Sequence, residues 1–349
     1  MRVNRECFVS IFDQGPTRTQ PIRVRGTGVL DLCSGFRLSS VAGKCATIIA
    51  FSTLVIVSTR DADAIVINDF VGSSTAIALG TPYEAVVEVD LGFDSCTGSL
   101  ITDSHILTAN HCTAGLDASS ITTKFHIDND GIADLSVGVN SIFEMSPSST
   151  GSNLLNGTDI SILSLSSKIN LFDPIPLATS ILEGVEVTTV GFGNNGLEST
   201  GTQGTRDGLR WAANNIMDQF GDAVDASGTQ TNILNTDFDD GTSENNKLGS
   251  ATPLMNEGST ARGDSGGPLL WNGIIAGVLS GGSKDPASPN FAGDVSWWTG
   301  TFLDEQRAFI EASTNGKVVY VQVPLPATLM LLGSGLLIFG GFVRRKKTI

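Results

Sequence analysis

Positive charge is scarce in the middle of this chain. Of the 21 lysines and arginines among 349 residues, eight precede Ile65 and four close the C-terminus, which leaves nine between Ile65 and Val323 against 31 acidic residues. A surface of that sign repels phosphate backbones and anionic headgroups, so nucleic acid and anionic membranes are excluded as partners of the central region. It suits a soluble extracellular protein. Cysteine is sparse too: Cys7, Cys33 and Cys45 fall before Ile65, and only Cys96 and Cys112 remain downstream. An even pair in an exported chain suggests one disulfide. Histidine occurs three times, at His105, His111 and His126, so imidazole chemistry has few places to reside. No internal repeat is present, and the length leaves room for two ordinary domains or for one large all-β unit with processing segments.

Two apolar runs lie near the ends. Cys45 to Ser58 is a 14-residue stretch without charge, flanked by Arg37 and Lys44 and followed by Ala62-Asp63-Ala64. A basic flank, a short apolar core and an Ala-x-Ala site read as a signal peptide, so residues 1–64 are expected to be a leader removed after Ala64. At the other end, Val323-Pro324-Leu325-Pro326-Ala327 opens a 17-residue uncharged run that ends at Val343 and is closed by Arg344-Arg345-Lys346-Lys347. This reads as a linker and sorting motif over 313–326, then a short transmembrane helix and basic tail over 327–349. The arrangement resembles the sorting tails of the PEP-CTERM class, with Leu325 where that class most often has Glu. The resemblance implies signal peptidase and an exosortase-type enzyme as partners. It also implies export to the surface of a Gram-negative bacterium, with at least transient anchoring by the C-terminal helix; a permanent anchor is the alternative.

From Ile65 to about Gly300 the chain consists of short β-branched runs such as Glu84–Leu91, Ser99–Leu107, Ile160–Leu165 and Val185–Val190, separated by Gly, Asn, Asp and Ser clusters. That spacing predicts an all-β sandwich or barrel. Leu303–Ala312 departs from it, with Phe309 and Ile310 set among Asp304, Glu305, Gln306 and Arg307, and predicts one late helix.

Peptide hydrolysis by serine needs an alcohol activated by a base, a carboxylate that orients the base, and backbone donors where the oxyanion forms. Three separated motifs can supply these parts. Thr108-Ala109-Asn110-His111-Cys112 offers a base whose ordinary pKa of about 6.5 suits proton exchange near neutrality. Asp159 enters the apolar run Ile160-Ser161-Ile162-Leu163, where a carboxylate can be half buried. Arg262-Gly263-Asp264-Ser265-Gly266-Gly267-Pro268 surrounds a serine with glycines that permit a tight turn. Together with Cys96-Thr97-Gly98-Ser99-Leu100-Ile101, these motifs resemble the chymotrypsin/trypsin family in both wording and order.

The resemblance implies two antiparallel six-stranded β-barrels, over 65–175 and 176–312, the second followed by a C-terminal helix. It implies a monomeric serine endopeptidase that acts on polypeptides and needs no cofactor. Ser265 would be the nucleophile, His111 the base and Asp159 its orienting acid, with an oxyanion hole formed by the Gly263 and Ser265 amides. A Cys96–Cys112 bridge would pin the histidine loop. Ser280 matches the serine that supports the catalytic Asp, Gly282 would lie along the substrate backbone, and Ser259 at the base of the S1 pocket would favour an apolar or aromatic P1 residue. Cleavage after Ala64 would free Ile65, whose ammonium would pair with Asp264. Asp128, Asp130 and Asp134 alternate around Gly131 as in calcium loops, although an exposed Asp/Asn turn fits the same residues. His105 and His126 read as structural. The competing reading is a catalytically silent surface-binding module; the three filled catalytic positions favour the enzyme.

Overall fold

The computed structural model describes residues 65–145, 154–202, 206–221, 232–249, 251–283 and 291–323. The leader with its signal peptide and the sorting tail from Pro324 onward lie outside the described residues. Among the described residues no helix is long and apolar enough to cross a membrane.

After a short strand β1 (Val66–Ile67) and a helix α1 (Ser73–Gly80), six strands close into a barrel. They are β2 (Val86–Asp90), β3 (Ser95–Thr102), β4 (His105–Thr108), β5 (Thr122–Phe125), β6 (Leu135–Glu144) and β7 (Ser161–Leu165), in the spatial order β2-β3-β4-β7-β6-β5. Where one face meets water the sequence alternates: Val137 and Val139 of β6 point inward while Ser136, Gly138 and Asn140 are exposed. Every residue of β3 is buried, because one face lines the barrel core and the other packs on the second half of the chain. The run Ser99–Leu107, continuous as sequence, is thus broken into β3 and β4 by the turn at Asp103 and Ser104.

The second half contributes β8 (Leu177–Ala178), β9 (Val185–Gly191), β10 (Gly196–Leu197), β11 (Gly201–Thr202), β12 (Trp211–Met217), β13 (Gln219–Phe220) and β14 (Ile233–Asp237). These are followed by β15 (Gly258–Ser259), β16 (Pro268–Trp271), β17 (Ile274–Ser283), β18 (Val295–Gly300) and β19 (Tyr320–Val321). Its main sheet runs β12-β9-β16-β17-β18-β14-β13, a hydrogen-bonded path that stays open, unlike the closed second barrel expected from the resemblance. Only Asp218 separates the two end members β12 and β13, so one bent strand pairs with β9 through its first part and with β14 through its last. The sheet is brought round on itself by chain continuity around a core of Leu234, Leu269, Ala276, Leu279 and Trp298.

A small third sheet, β11-β10-β1-β15, holds the segment after the leader, with Ile65, Val66 and Ile67 fully buried. The late helix α3 (Asp304–Ser313) forms where the sequence predicts it. Its buried residues Gln306, Ile310 and Ser313 follow helical spacing, and Asp304 and Glu305 suit its positive N-terminal end.

Candidate active site

His111 and Asp159 are 48 residues apart yet meet because β4 and β7 are antiparallel neighbours in the register Thr108↔Ser161. The chain leaving β4 and the chain entering β7 therefore lie at the same end of the barrel. His111 sits on a single helical turn, α2 (Asn110–Thr113). Its amide donates to Asp159 Oδ1 and its Nδ1 is 2.7 Å from Asp159 Oδ2, so one carboxylate holds both the backbone and the ring. Asp159 is 3% exposed, whereas the His111 side chain is 25% exposed, a shielded acid behind an accessible ring. Asn110 is buried, and its Oδ1 accepts from the Ser161 hydroxyl at 3.2 Å, tying the histidine turn to β7.

Cys96 and Cys112 form a disulfide, with Cα atoms 6.4 Å apart. Its Cys112 Sγ lies 3.8 Å from His111 Nε2 and 3.7 Å from the Ser265 carbonyl oxygen. The Ser265 carbonyl accepts from the Thr97 amide at 2.8 Å, and Gly263 O accepts from Thr97 Oγ1 at 2.9 Å, so β3 carries the serine loop across the interface. Gly266 has φ +82°, and a Cβ there would lie 2.2 Å from Thr108 Oγ1 and 2.7 Å from the Ala109 nitrogen. Only glycine lets the turn after the serine rest on the strand that delivers His111. Within this turn the amides alternate in use: those of Asp264, Gly266 and Gly267 donate to backbone carbonyls, while among the described residues those of Gly263 and Ser265 donate to none.

Asp264 is buried. Its carboxylate accepts from the amides of Ala261 and Gly193, and from that of Ile65. Burial pushes it up to about 7, against the opposing pull of those amides and of the Arg206 charge.

The remaining expected residues are less convergent. Ser259, buried in β15, pairs with Val66, and its hydroxyl donates to the Thr260 carbonyl. Ser280 is a correction: its hydroxyl bonds Thr299 Oγ1 at 2.8 Å and makes no hydrogen bond to Asp159. The β17–β18 register shifts between Leu279 and Gly281, and this bulge sets where Ser280 points. Gly281 and Gly282 lie close against β18, where a Cβ would meet Trp297 Nε1 and Val295 O, each at 2.9 Å. The calcium set does not converge. Asp130 Oδ1 accepts from the Ile132 amide and Asp134 Oδ2 from the Ile127 amide, which makes them turn-forming carboxylates, and no acidic or histidine cluster among the described residues is placed to hold a metal. His105 Nδ1 bonds Thr102 Oγ1, and His126 bonds Glu88 and packs on Phe192, both as structural groups.

Sequence reasoning missed two groups near the serine. Arg206 lies on Gly263, and both Arg206 and Arg262 pair with Asp94. Their one sequence signal is the rarity of cations in this region.

Comparison with known proteins gives two family matches. The model described as Trypsin matches residues 70–297, and the PEP-CTERM protein-sorting motif matches residues 322–347. Similar proteins include trypsin beta of Drosophila erecta, 28% identical over 60% of this chain and 77% of its own length. Trypsin Blo t 3 of Blomia tropicalis is 27% identical over 66% and 85% respectively. Among solved structures, neuropsin, a serine protease expressed in the limbic system of mouse brain, is 19% identical, with a TM-score of 0.49 over 67% of this chain and 96% of that one.

Proposed function

Because this chain belongs to the trypsin family of serine endopeptidases, we propose that its chemistry is carried by Ser265, His111 and Asp159 acting on exported polypeptides. In this reading the Ser265 hydroxyl attacks the scissile carbonyl and passes its proton to His111 Nε2. Asp159 holds the Nδ1 proton and stabilises the imidazolium. The negative charge that develops on the carbonyl oxygen is met by the two uncommitted amides of Gly263 and Ser265. His111 then protonates the departing amine, and water, activated by the same ring, releases the acyl group and restores Ser265. The observation that carries this reading is the His111 ring, oriented by Asp159, with the Cys112 sulfur 3.8 Å from its Nε2 and 3.7 Å from the Ser265 carbonyl oxygen.

Ser259, a neutral residue at the expected base of the S1 pocket, favours an apolar or aromatic P1 residue. The PEP-CTERM match supports export with surface sorting by an exosortase-type enzyme, and the leader supports cleavage after Ala64. The resulting Ile65 ammonium would replace the amide that already faces Asp264, so that signal processing also completes the active enzyme.

The test is fluorophosphonate labelling of the secreted protein alongside turnover of a denatured proteome. Labelling is expected at Ser265, and Ser265→Ala is expected to lower kcat by about 10⁶. An unlabelled Ser265, or proteolysis that survives Ser265→Ala, overturns the reading in favour of a silent binding module.

A further inference from the structure

Two of the nine cationic residues between Ile65 and Val323 meet at the serine loop. Arg206 Nη1 is 2.7 Å from Asp94 Oδ1, and Arg262 Nη2 is 3.0 Å from Asp94 Oδ2, so one carboxylate is shared between two guanidinium groups. Burial would raise the Asp94 carboxyl, but hydrogen bonds from Arg262, the Ser95 amide and Arg206 hold it below the ordinary aspartate value. It stays ionised and holds both guanidinium groups beside the serine loop. Arg206 lies flat on the oxyanion-loop glycine, where a Cβ at Gly263 would come within 2.8 Å of Nη2 and 2.9 Å of Nε. That Nε is buried and has no hydrogen-bond partner. Arg262 directly precedes Gly263 and keeps half its side chain in solvent (49%), and Phe93, next to Asp94, is 78% exposed.

The side of the site is set by the chain. Asp94 and Ser95 lead into Cys96, whose disulfide partner touches both His111 and the Ser265 backbone. The trio therefore flanks Ser265 from the β3 side. In the protease reading the substrate backbone would lie along Gly281 and Gly282 of β17, so that a chain crossing the serine from there would pass the trio with its amine-side residues.

We propose that Arg262 and Arg206, aligned by Asp94, form a subsite that selects an aspartate or glutamate among the first three residues on the leaving-group side of the cleaved bond. This rests on the protease reading above. A substrate carboxylate there meets the exposed guanidinium of Arg262 in charge-assisted contact, with the methylenes of its side chain against Phe93. The long-range field of the acidic surface disfavours acidic peptides generally, so the preference is local and positional.

The experiment uses the mature secreted protein and quenched peptides that share one acyl half and carry Asp, Ala or Lys at each of the first three positions after the scissile bond. Active-site titration with a fluorophosphonate normalises every variant to competent Ser265, so misfolding is read as lost titre and not as lost preference. The expected kcat/KM for Asp exceeds that for Ala by about fivefold at one position, and that for Lys by more, with the ratio shrinking at high salt. Arg262→Ala flattens the series and Arg262→Glu inverts it. A titratable enzyme that cleaves all three peptides equally, or that prefers Asp as strongly after Arg262→Glu, overturns this inference and leaves the protease reading intact. A protein that neither titrates nor cleaves overturns both.

Discussion

At the scale of single residues, glycines with the same backbone conformation do different work. Gly266 (φ +82°) has no room for a methyl group, with Thr108 Oγ1 and the Thr97 carbonyl 2.2 and 2.4 Å from where it would sit. Gly273 (φ +77°), in the Asn272-Gly273 turn between β16 and β17, has open space around it. Gly266→Ala is expected to cost about 2–4 kcal/mol from strain and backbone displacement, and to abolish fluorophosphonate labelling by moving Ser265 off the β4 end. Gly273→Ala carries conformational strain alone, about 1 kcal/mol, and keeps its labelling. Paired thermal melts and labelling gels check both. The same contrast explains what could be read in advance. A nucleophile turn imprints itself on consecutive residues, so Gly263 to Pro268 announces itself. Asp94, Arg206 and Arg262 are spread over 168 positions, and nothing local marks them as neighbours.

At the scale of elements, one buried side chain joins three of them. Arg210, fully buried, donates from both terminal nitrogens to the His126 carbonyl and from Nε to the Gly80 carbonyl at the C-terminal end of α1, and it stacks on Phe192. Burial lowers its guanidinium to about 10, so it remains charged at neutral pH. Arg210→Met would leave the buried His126 carbonyl unpaired, while the Gly80 carbonyl keeps the Tyr83 amide, and is expected to cost about 2 kcal/mol, read as a lower denaturant midpoint. Arg210→Lys, with one ammonium for widely placed acceptors, recovers only part of this. This anchor also explains why α1 was not foreseen. Ser-Ser-Thr-Ala-Ile-Ala-Leu-Gly is only eight residues long, starts on Ser-Ser-Thr, ends on Gly and has no side-chain cap, and it is held by packing on β12 and by Arg210. The strands were legible as short β-branched runs between turn residues, and α3 because its buried residues recur at helical spacing. The bend at Asp218 that carries the chain from one edge of the second sheet to the other was not, because one residue between two strands leaves no periodic trace.

At the scale of the whole molecule, pH stability and N-terminal processing are linked. Asp264 is raised to about 7 chiefly by burial, as are Glu257 and Asp239, both of these also by neighbouring carboxylates. A raised acid contributes stability that is complete below its unfolded value near 4 and is lost as pH rises through about 7. The chain with Asp63-Ala64 still attached is therefore expected to melt progressively lower from pH 5 to pH 8. The chain that begins at Ile65 gains an ammonium beside Asp264, which lowers that carboxyl and removes its share of the loss. Melting curves of the two forms should diverge as pH rises, and peptidase activity should favour the Ile65 form; curves that stay parallel, with equal activity, would overturn the pairing. The sorting motif, strand-rich character, the late helix and the three motifs of the proposed site were present in the linear chain, because each is written in adjacent residues or in a short period. The tertiary structure decided which amides of the serine turn are left uncommitted, that Ser280 turns to Thr299, that the aspartates after His126 close turns, and that two distant arginines share Asp94. Those outcomes depend on strand register and on packing between the two halves, which join residues that no local pattern connects.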